Sequence, residues 1–299
     1  MTLGRRGGSD VATTFDEWLN GRRAAVAGAG PGRWLSTEQL LADDAAALRR
    51  LFDVTVVNDR VPVEVAAVAL SGWHGGGLAT VVGLGLAVGV GVAVTIDGVR
   101  FHHHADGGVD AVDPGPATLL VAAAHPWSGA GGVTVLDDVD DVIDAAVASL
   151  VAAVEPLVSA IPSIHRVGRS GLWNEVGDAL GMALCEQDAV LPTAGRQALL
   201  DRAVRSRHRR WKAAPDVRVI ARPAAPVVVG RKGGCCLLHR RSAEPLEVAA
   251  LTESERRYLE RFPVQQPDYC STCSLRSVAD CEARQLFWLD LVEEAGSAR

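Results

Sequence analysis

Five of the six cysteines lie in the last 65 of 299 residues, and this clustering constrains the fold more than any other feature. Cys235 and Cys236 are adjacent, Cys270 and Cys273 form a Cys-x-x-Cys, and Cys281 follows. Thiolates select zinc, copper(I) or iron–sulfur clusters. Zinc sites usually space paired ligands by two to four residues, so that both reach one ion. Adjacent side chains diverge, so the pair favours a four-cysteine [2Fe–2S] centre in a C-terminal module.

Other uses of these thiols stay open. Cys236, Cys270, Cys273 and Cys281 could form a structural zinc knuckle, and disulfides are a further alternative. The first ten residues lack the apolar core of a secretory signal, so we expect a reducing, cytoplasmic compartment in which grouped cysteines bind metal or do redox chemistry. Cys185 lies in an apolar-patterned stretch and is expected to be an ordinary core thiol.

Composition excludes some classes of function. Hydrophobic residues make up 48% of the chain, enough for a sizeable core, and the net charge of -6 argues against general nucleic-acid binding. The charge is uneven, because residues 199–241 hold twelve Lys and Arg against two acids. A basic block therefore leads directly into the first cysteine pair.

Periodicity predicts a mostly helical α+β fold with a small antiparallel sheet. Ser36, followed by Glu38 and Gln39, is typical of a helix N-cap. The predicted helices are 15–20, 37–52, 62–71, 76–88, 138–160 with Pro156 as a kink or stop, 170–189, 193–211, 253–261 and 277–295. The apolar stretch 62–93 is long enough to span a membrane, but its many glycines favour two buried helices and no stable membrane insertion.

Strand patterns are weaker. Residues 92–96 and 99–103, joined by Asp97-Gly98, predict a β-hairpin with a two-residue turn. Further extended pieces are predicted at 117–123, 217–221 and 227–229. His102, His103 and His104 alternate across a strand and cannot converge on one metal, so they favour a polar strand end. We divide the chain into a helical segment 1–60, an α+β body 61–230 and the cysteine module 231–299.

A family resemblance follows from the cysteines. The run Cys235-Cys236, then Cys270-Ser-Thr-Cys273-Ser-Leu-Arg276, resembles the C-terminal signature of FhuF-like ferric-siderophore reductases. Residues 169–176, Arg-Ser-Gly-Leu-Trp-Asn-Glu-Val, also resemble an internal segment of that family. Two departures are the spacer 237–269, which is longer than the family's link, and Ser274 in place of the usual Pro. Loops lengthen at small entropic cost, so the spacer need not disturb the ligands.

The resemblance implies an enzyme: a cytoplasmic ferric-siderophore reductase, an oxidoreductase of iron acquisition. A [2Fe–2S] cluster on Cys235, Cys236, Cys270 and Cys273 would pass one electron to Fe(III), and hard oxygen donors hold the resulting Fe(II) poorly. No catalytic residue beyond the cluster is required. No dinucleotide-binding glycine motif is present, so electrons are expected from a protein donor such as a ferredoxin.

Candidate substrate contacts are less specific. The first candidates are the cationic residues beside the cysteine pair, Arg231, Lys232, Arg240 and Arg241. A further candidate is Trp173, which could line an aromatic pocket. The basic run 205–212 is predicted at a helix end, either as a solvated cap of the helix dipole or as a docking patch for an anionic chelate or an acidic donor. Trp211 is a second aromatic candidate, and a core position is the alternative for either tryptophan.

Two other classes of function remain. The spacing of Cys236, Cys270, Cys273 and Cys281 loosely resembles the WhiB-like [4Fe–4S] transcription factors, although those chains are far smaller. A zinc-binding structural or regulatory protein without reductase activity is the second. Colour and iron content would separate the three.

Overall fold

The fold is α+β, as predicted, with helices forming most of the described chain and the strands forming small sheets. A computed structural model describes residues 32–104, 107–184, 193–220, 222, 227–237, 240, 251–263 and 269–297. The described helices are α1 (Thr37–Asn58), α2 (Val63–Ser71), α3 (Gly77–Ala87), α4 (Val139–Ile164), α5 (Arg169–Ala183), α6 (Thr193–Val204), α7 (Glu253–Arg261) and α8 (Val278–Ser297). The helix predicted at 15–20 lies outside the described residues.

Helix α1 begins with the predicted cap. The Gln39 backbone N–H donates to Ser36 Oγ at 3.1 Å, and the Ser36 N–H donates to Gln39 Oε1 at 2.8 Å. The two bonds form a capping box, which satisfies backbone donors that a helix start leaves unpaired. The helix is interrupted at Ala42–Ala45, where the backbone is not helical.

The glycine-rich stretch forms two buried helices, but the glycines between them do not form a loop. A π-helical turn, Gly72–Gly76, joins α2 to α3. A β-carbon on Gly75 would lie 2.7 Å from Val176 Cγ2 of α5, so this glycine lets the two helices approach closely. The segment Val63–Ala87 and helix α4 are long and apolar enough to cross a membrane, yet 72% and 56% of their apolar windows are buried inside the protein. Burial to this extent fits core helices.

Helix α4 lies at the centre of the core. Its predicted apolar face is buried, including Ile143, Ala146 and Leu150, and it packs against α1, α3, α5 and α6. The predicted end at 160 was wrong, because the helix continues past Pro156 and Pro162 to Ile164. The tertiary contacts of Leu157, Val158 and Ile161, all buried, outweigh the hydrogen bonds that the prolines remove.

The strands form three sheets in the described chain. Sheet one is antiparallel with order β1 (Gly32–Ser36), β3 (Arg100–His104), β4 (Val109–Asp113). Sheet two has order β2 (Gly91–Ala93), β5 (Thr118–Ala122), β6 (Val133–Leu136), and its β5–β6 pair is parallel. Sheet three is the antiparallel pair β7 (Asp216–Ile220) and β8 (Val227–Arg231).

The predicted hairpin of 92–96 and 99–103 was wrong. Strand β2 pairs with β5, whereas β3 pairs with β1 and β4. The intervening Ile96–Gly98 is a 3₁₀ turn. Gly98 packs so closely on Gly115 and Pro116 that a β-carbon would lie 2.6 Å from Pro116 Cδ. These tertiary contacts replace the local pairing that the Asp-Gly signal favoured.

The C-terminal elements differ least from expectation. Helices α7 and α8 lie close to the predicted 253–261 and 277–295, and they pack on one another. Helix α5 matches its predicted start, and residues 185–192 of that prediction lie outside the described chain. Helix α6 ends at Val204 instead of 211, so the basic run 205–212 lies in the connection that follows it.

Candidate metal centre

The two cysteine pairs are brought together by the end of strand β8 and the start of α8. The Lys232 N–H donates to Thr272 O at 2.8 Å, which joins the segment before Cys235 to the Cys-x-x-Cys loop. Gln285 of α8 binds both the N–H and the carbonyl of Gly230, at 2.9 and 2.7 Å. Helix α8 therefore fixes the strand that leads into the cysteine pair.

The closest thiol pair joins the two segments. Cys236 Sγ lies 3.9 Å from Cys270 Sγ. Two thiolates at about 2.3 Å from one tetrahedral metal ion lie about 3.8 Å apart, so this separation suits ligands of a shared metal. Cys273 interacts electrostatically with Cys235 and Cys236 and shares a hydrogen bond with Cys270. None of the four is in a disulfide.

The remaining donors are not drawn together tightly. Within the described ranges, no group of three or more His, Cys, Asp or Glu side chains is arranged to hold a metal ion. The donor set nevertheless fits an iron–sulfur centre in chemistry, since four thiols from two tethered segments interact within one small region.

Backbone groups support the Cys-x-x-Cys loop. The Cys273 N–H donates to Cys270 O at 3.0 Å, and the Leu275 N–H lies 3.5 Å from Cys273 Sγ. The Arg276 guanidinium donates to Tyr269 O and Cys270 O and pairs with Asp280 at 2.8 Å. These bonds hold the loop, in which Ser274 follows Cys273.

The thiols differ in acidity. Hydrogen bonding with the Cys236 thiol holds the pKa of Cys270 below its usual value, in spite of partial burial. Burial raises the pKa of Cys273 and of Cys281. Cys281 is fully buried, and its thiol donates to Cys273 O at 3.6 Å. This bond joins helix α8 to the Cys-x-x-Cys loop.

Helix α5 holds the Cys235–Cys236 segment from the other side. Asp178 accepts hydrogen bonds from the N–H groups of Gly233 and Gly234, at 2.7 and 3.1 Å. Glu175, one turn earlier, pairs with Lys232 at 2.8 Å. Burial raises the pKa of Asp178 to about 7, and these two hydrogen bonds offset only part of that effect.

The charge of Lys232 is satisfied within this network. Burial lowers its pKa, but the charge and hydrogen bond of Glu175 outweigh burial, and the net pKa is raised. The ammonium also interacts with the Cys236 thiol. Lys232 is thus an internal partner of Glu175, and its charge also acts on the thiols of Cys236 and Cys270.

The other predicted substrate contacts occupy different positions. Arg231 is half-buried and donates to Arg276 O at 3.4 Å, whereas Arg240 is exposed. Trp173 is only 4% exposed and packs in the core. Trp211 is also buried, and its indole N–H donates to Val204 O at 2.7 Å. Arg241 lies outside the described residues.

The basic run is partly neutralised. Arg207 pairs with Asp144 at 3.0 Å, and Arg210 lies 4.0 Å from Glu155. Its end reaches the cysteine segment, because the N–H groups of Lys212 and Ala213 both donate to Asn174 Oδ1, at 3.1 and 3.3 Å. Asn174 in turn packs on Gly234. The run therefore leads to the candidate centre, as its position in the sequence indicated.

The three histidines divide between two faces of β3, as alternation predicted. His102 and His104 both contact Asp110, at 2.6 and 3.0 Å. His103 faces the other way and lies 5.0 Å from the ring of His74 in the π-helical turn. Burial lowers the pKa of His74 to about 3 and that of His103 to about 4.

Sequence reasoning missed the supporting residues of α5. Glu175 and Asp178 lie three positions apart on a helix whose neighbouring residues Leu172, Val176 and Leu180 are buried. Two acids on a buried helical face are costly without partners, and that pattern was the available signal.

Comparisons with protein-family models, curated proteins and solved structures found no match to this chain.

Proposed function

We propose that this protein is a cytoplasmic ferric-siderophore reductase whose Cys235, Cys236, Cys270 and Cys273 hold a [2Fe–2S] cluster. The observation that carries the proposal is the 3.9 Å separation of Cys236 Sγ and Cys270 Sγ, which come from segments 34 residues apart. The cluster would supply a one-electron centre. The electron reduces Fe(III) in a bound siderophore to Fe(II), and the oxygen ligands then hold the metal weakly.

The chain's own residues have separate roles in this scheme. The four thiolates would hold the iron atoms, and the Leu275 N–H near Cys273 Sγ would favour the more negative, reduced state of the cluster. Lys232 places a positive charge near Cys236 and acts in the same direction. Arg240 is exposed and Arg231 half-buried beside this segment, which suits contact with an anionic chelate.

The position of Cys281 favours this ligand set over one that includes Cys281. Both the zinc knuckle and the [4Fe–4S] alternative use Cys281 in place of Cys235. Its thiol is fully buried and directed at the Cys273 carbonyl oxygen. Cys235 is half-buried and interacts with Cys273. The alternative, a regulatory or structural metal protein, requires the Cys281 thiol to give up its hydrogen bond to the Cys273 carbonyl oxygen.

The test begins with iron and acid-labile sulfide analysis of anaerobically purified protein. We expect two iron and two sulfide ions per chain and a red-brown colour.

The protein is then reduced chemically and mixed with a ferric trihydroxamate chelate in the presence of an Fe(II)-trapping dye. Dye signal at a rate proportional to cluster content supports the reductase. Colourless zinc protein refutes the cluster, and a clustered protein that gives no dye signal with any chelate class refutes the reductase. A natural donor is expected to be a protein such as a ferredoxin.

A further inference from the structure

Asp178 is an acidic residue placed where an apolar residue would normally pack. It is 1% exposed, and its two oxygens accept the consecutive N–H groups of Gly233 and Gly234. A buried carboxyl group is costly unless it is hydrogen-bonded, so these two bonds account for its presence. The next residue in the chain is Cys235, so the bonds fix the backbone that enters the cysteine pair.

A second tether lies one helical turn away. The Glu175 carboxylate, 9% exposed as a side chain, binds Lys232 Nζ at 2.8 Å. Lys232 also donates its backbone N–H to Thr272 O at 2.8 Å. Lys232 therefore connects helix α5, through Glu175, to the Cys-x-x-Cys loop, through Thr272.

The tethered segment has no spare room. A β-carbon on Gly233 would lie 2.5 Å from Ala213 O, and one on Gly234 would lie 2.5 Å from Asn174 Cβ. Both glycines are thus pressed between α5 and the connection that follows α6. The segment that leads to the following thiols is therefore packed directly against helix α5 on one side and against the connection on the other.

We infer that Asp178 is a positioning residue of the candidate centre, fixing residues 233 and 234 so that Cys235 and Cys236 face Cys270 and Cys273. The Glu175–Lys232 pair is its second anchor. This inference rests on the proposed cluster for its redox consequence, but its structural part concerns the protein without metal. Charged groups that face Asp178 are Glu175 and Lys232.

The structural part is tested by amide hydrogen exchange of the metal-free chain. Asp178→Asn removes one of the two acceptors, and Asp178→Ala removes both. We expect both Gly233 and Gly234 to exchange at least about tenfold faster in Asp178→Ala, and the glycine that loses its acceptor to do so in Asp178→Asn. Asp144→Asn is the control, because Asp144 also accepts a side-chain hydrogen bond, from Ser206 at 2.5 Å, and lies in another part of the fold. Wild-type exchange rates in Asp178→Ala would overturn the inference.

The redox part is tested on the cluster-loaded protein. At pH 8, Asp178→Asn should lower the iron content per chain, because the segment that carries Cys235 and Cys236 is held less firmly, and should shift the midpoint potential upward, because a negative charge is lost from the carboxyl group bonded to that segment. Asp144→Asn should change neither. Faster exchange with unchanged potential and iron content would reduce Asp178 to a purely structural residue and overturn the inference. If Asp178→Asn does not fold, Glu175→Gln is measured in its place, with the same expected directions.

The two proposals fail differently. Wild-type protein without iron refutes the proposed function, whatever the exchange data show. Wild-type protein with two irons, together with an Asp178→Asn variant of unchanged potential and iron content, refutes the positioning role alone.

Discussion

Gly234 and Asn174 are packed so tightly that a β-carbon on the glycine would lie 2.5 Å from Asn174 Cβ. Asn174 cannot withdraw easily, since its Oδ1 accepts the N–H groups of Lys212 and Ala213. The contact couples helix α5 to the residue before the cysteine pair. Because it involves no metal ligand, its effect on stability can be measured on the metal-free protein.

Gly234→Ala should destabilise the fold. The added methyl group forces α5 and the cysteine segment apart, and overpacking of this kind costs about 1–3 kcal/mol. Urea unfolding of the metal-free protein measures the change. Gly171→Ala is the matched control, because Gly171 lies in α5 and a β-carbon added there would have nothing within 4 Å. Alanine there should be neutral or stabilising by up to about 1 kcal/mol, and equal losses in both variants would contradict the tight packing of Gly234.

Cys270→Ser should remove most of the bound iron, whereas Cys281→Ser should leave it. Cys270 lies 3.9 Å from Cys236, while Cys281 is buried and bonded to a carbonyl oxygen. Iron and sulfide analysis together with the visible spectrum provide the measurement. A retained spectrum in Cys270→Ser would show the ligand assignment to be wrong, and loss of iron in a folded Cys281→Ser would favour the ligand sets that contain Cys281.

The Glu175–Lys232 pair should show strong coupling in a double-mutant cycle. Lys232→Met leaves the carboxylate of Glu175 buried without its partner, which costs about 3–5 kcal/mol. Adding Glu175→Gln removes that charge and should recover a large part of the loss. Unfolding free energies of the two single variants and the double variant give the coupling. Additive losses would mean that the pair makes no net interaction.

Asp178 should make stability fall as pH rises from about 4 to 7. Burial raises its pKa to about 7, from an ordinary value of 3.8. A carboxyl group with a raised folded-state pKa binds its proton more tightly in the native state, so the stabilisation is present at low pH and is lost as the proton leaves. The loss approaches about 1.36 kcal/mol per pH unit within that window. Unfolding free energy against pH should be flatter in Asp178→Asn, and parallel curves would contradict the shift.

His74 should make the stability of the fold rise with pH, the opposite of the effect of Asp178. Burial lowers its pKa to about 3, and a histidine with a lowered folded-state pKa stabilises the protein above its unfolded pKa of about 6.5 and loses that stabilisation as pH falls. His74→Phe, a ring replacement beside Phe101, should therefore lessen the loss of stability between about pH 6.5 and 4. The exposed His208 provides the control as His208→Gln. Equal acid sensitivity in wild type and His74→Phe would be the contrary result.

Local patterns predicted the elements whose causes are local. The Ser36 cap, the apolar face of α4 and the charged helix α7 were each present in the sequence and appear in the structure. The β-hairpin failed because its pairing depended on what else could reach β2 and β3. Strand β2 pairs with β5, and the turn at Gly98 packs on Gly115, so β2 and β3 do not pair with each other. The sequence alone does not reveal partners this far along the chain.

The candidate site divides in the same way. The clustering of cysteines indicated which thiols to examine, and the structure brings Cys236 close to Cys270. The support from Glu175 and Asp178 could not be predicted, since it depends on α5 packing against a segment more than 50 residues further along the chain. The acids on a buried helical face were visible in the sequence, but their partners were not.

The hydrogen bond from Lys232 to Thr272 also bears on the long segment between the cysteine pairs. It joins a residue just before the first cysteine pair to a residue inside the Cys-x-x-Cys, so the two pairs are held together by a direct contact as well as by the chain between them. Helix α7 lies within this segment and packs on α8, with Arg257 paired to Glu294 at 2.6 Å, so the segment also adds a contact to the helix that holds strand β8.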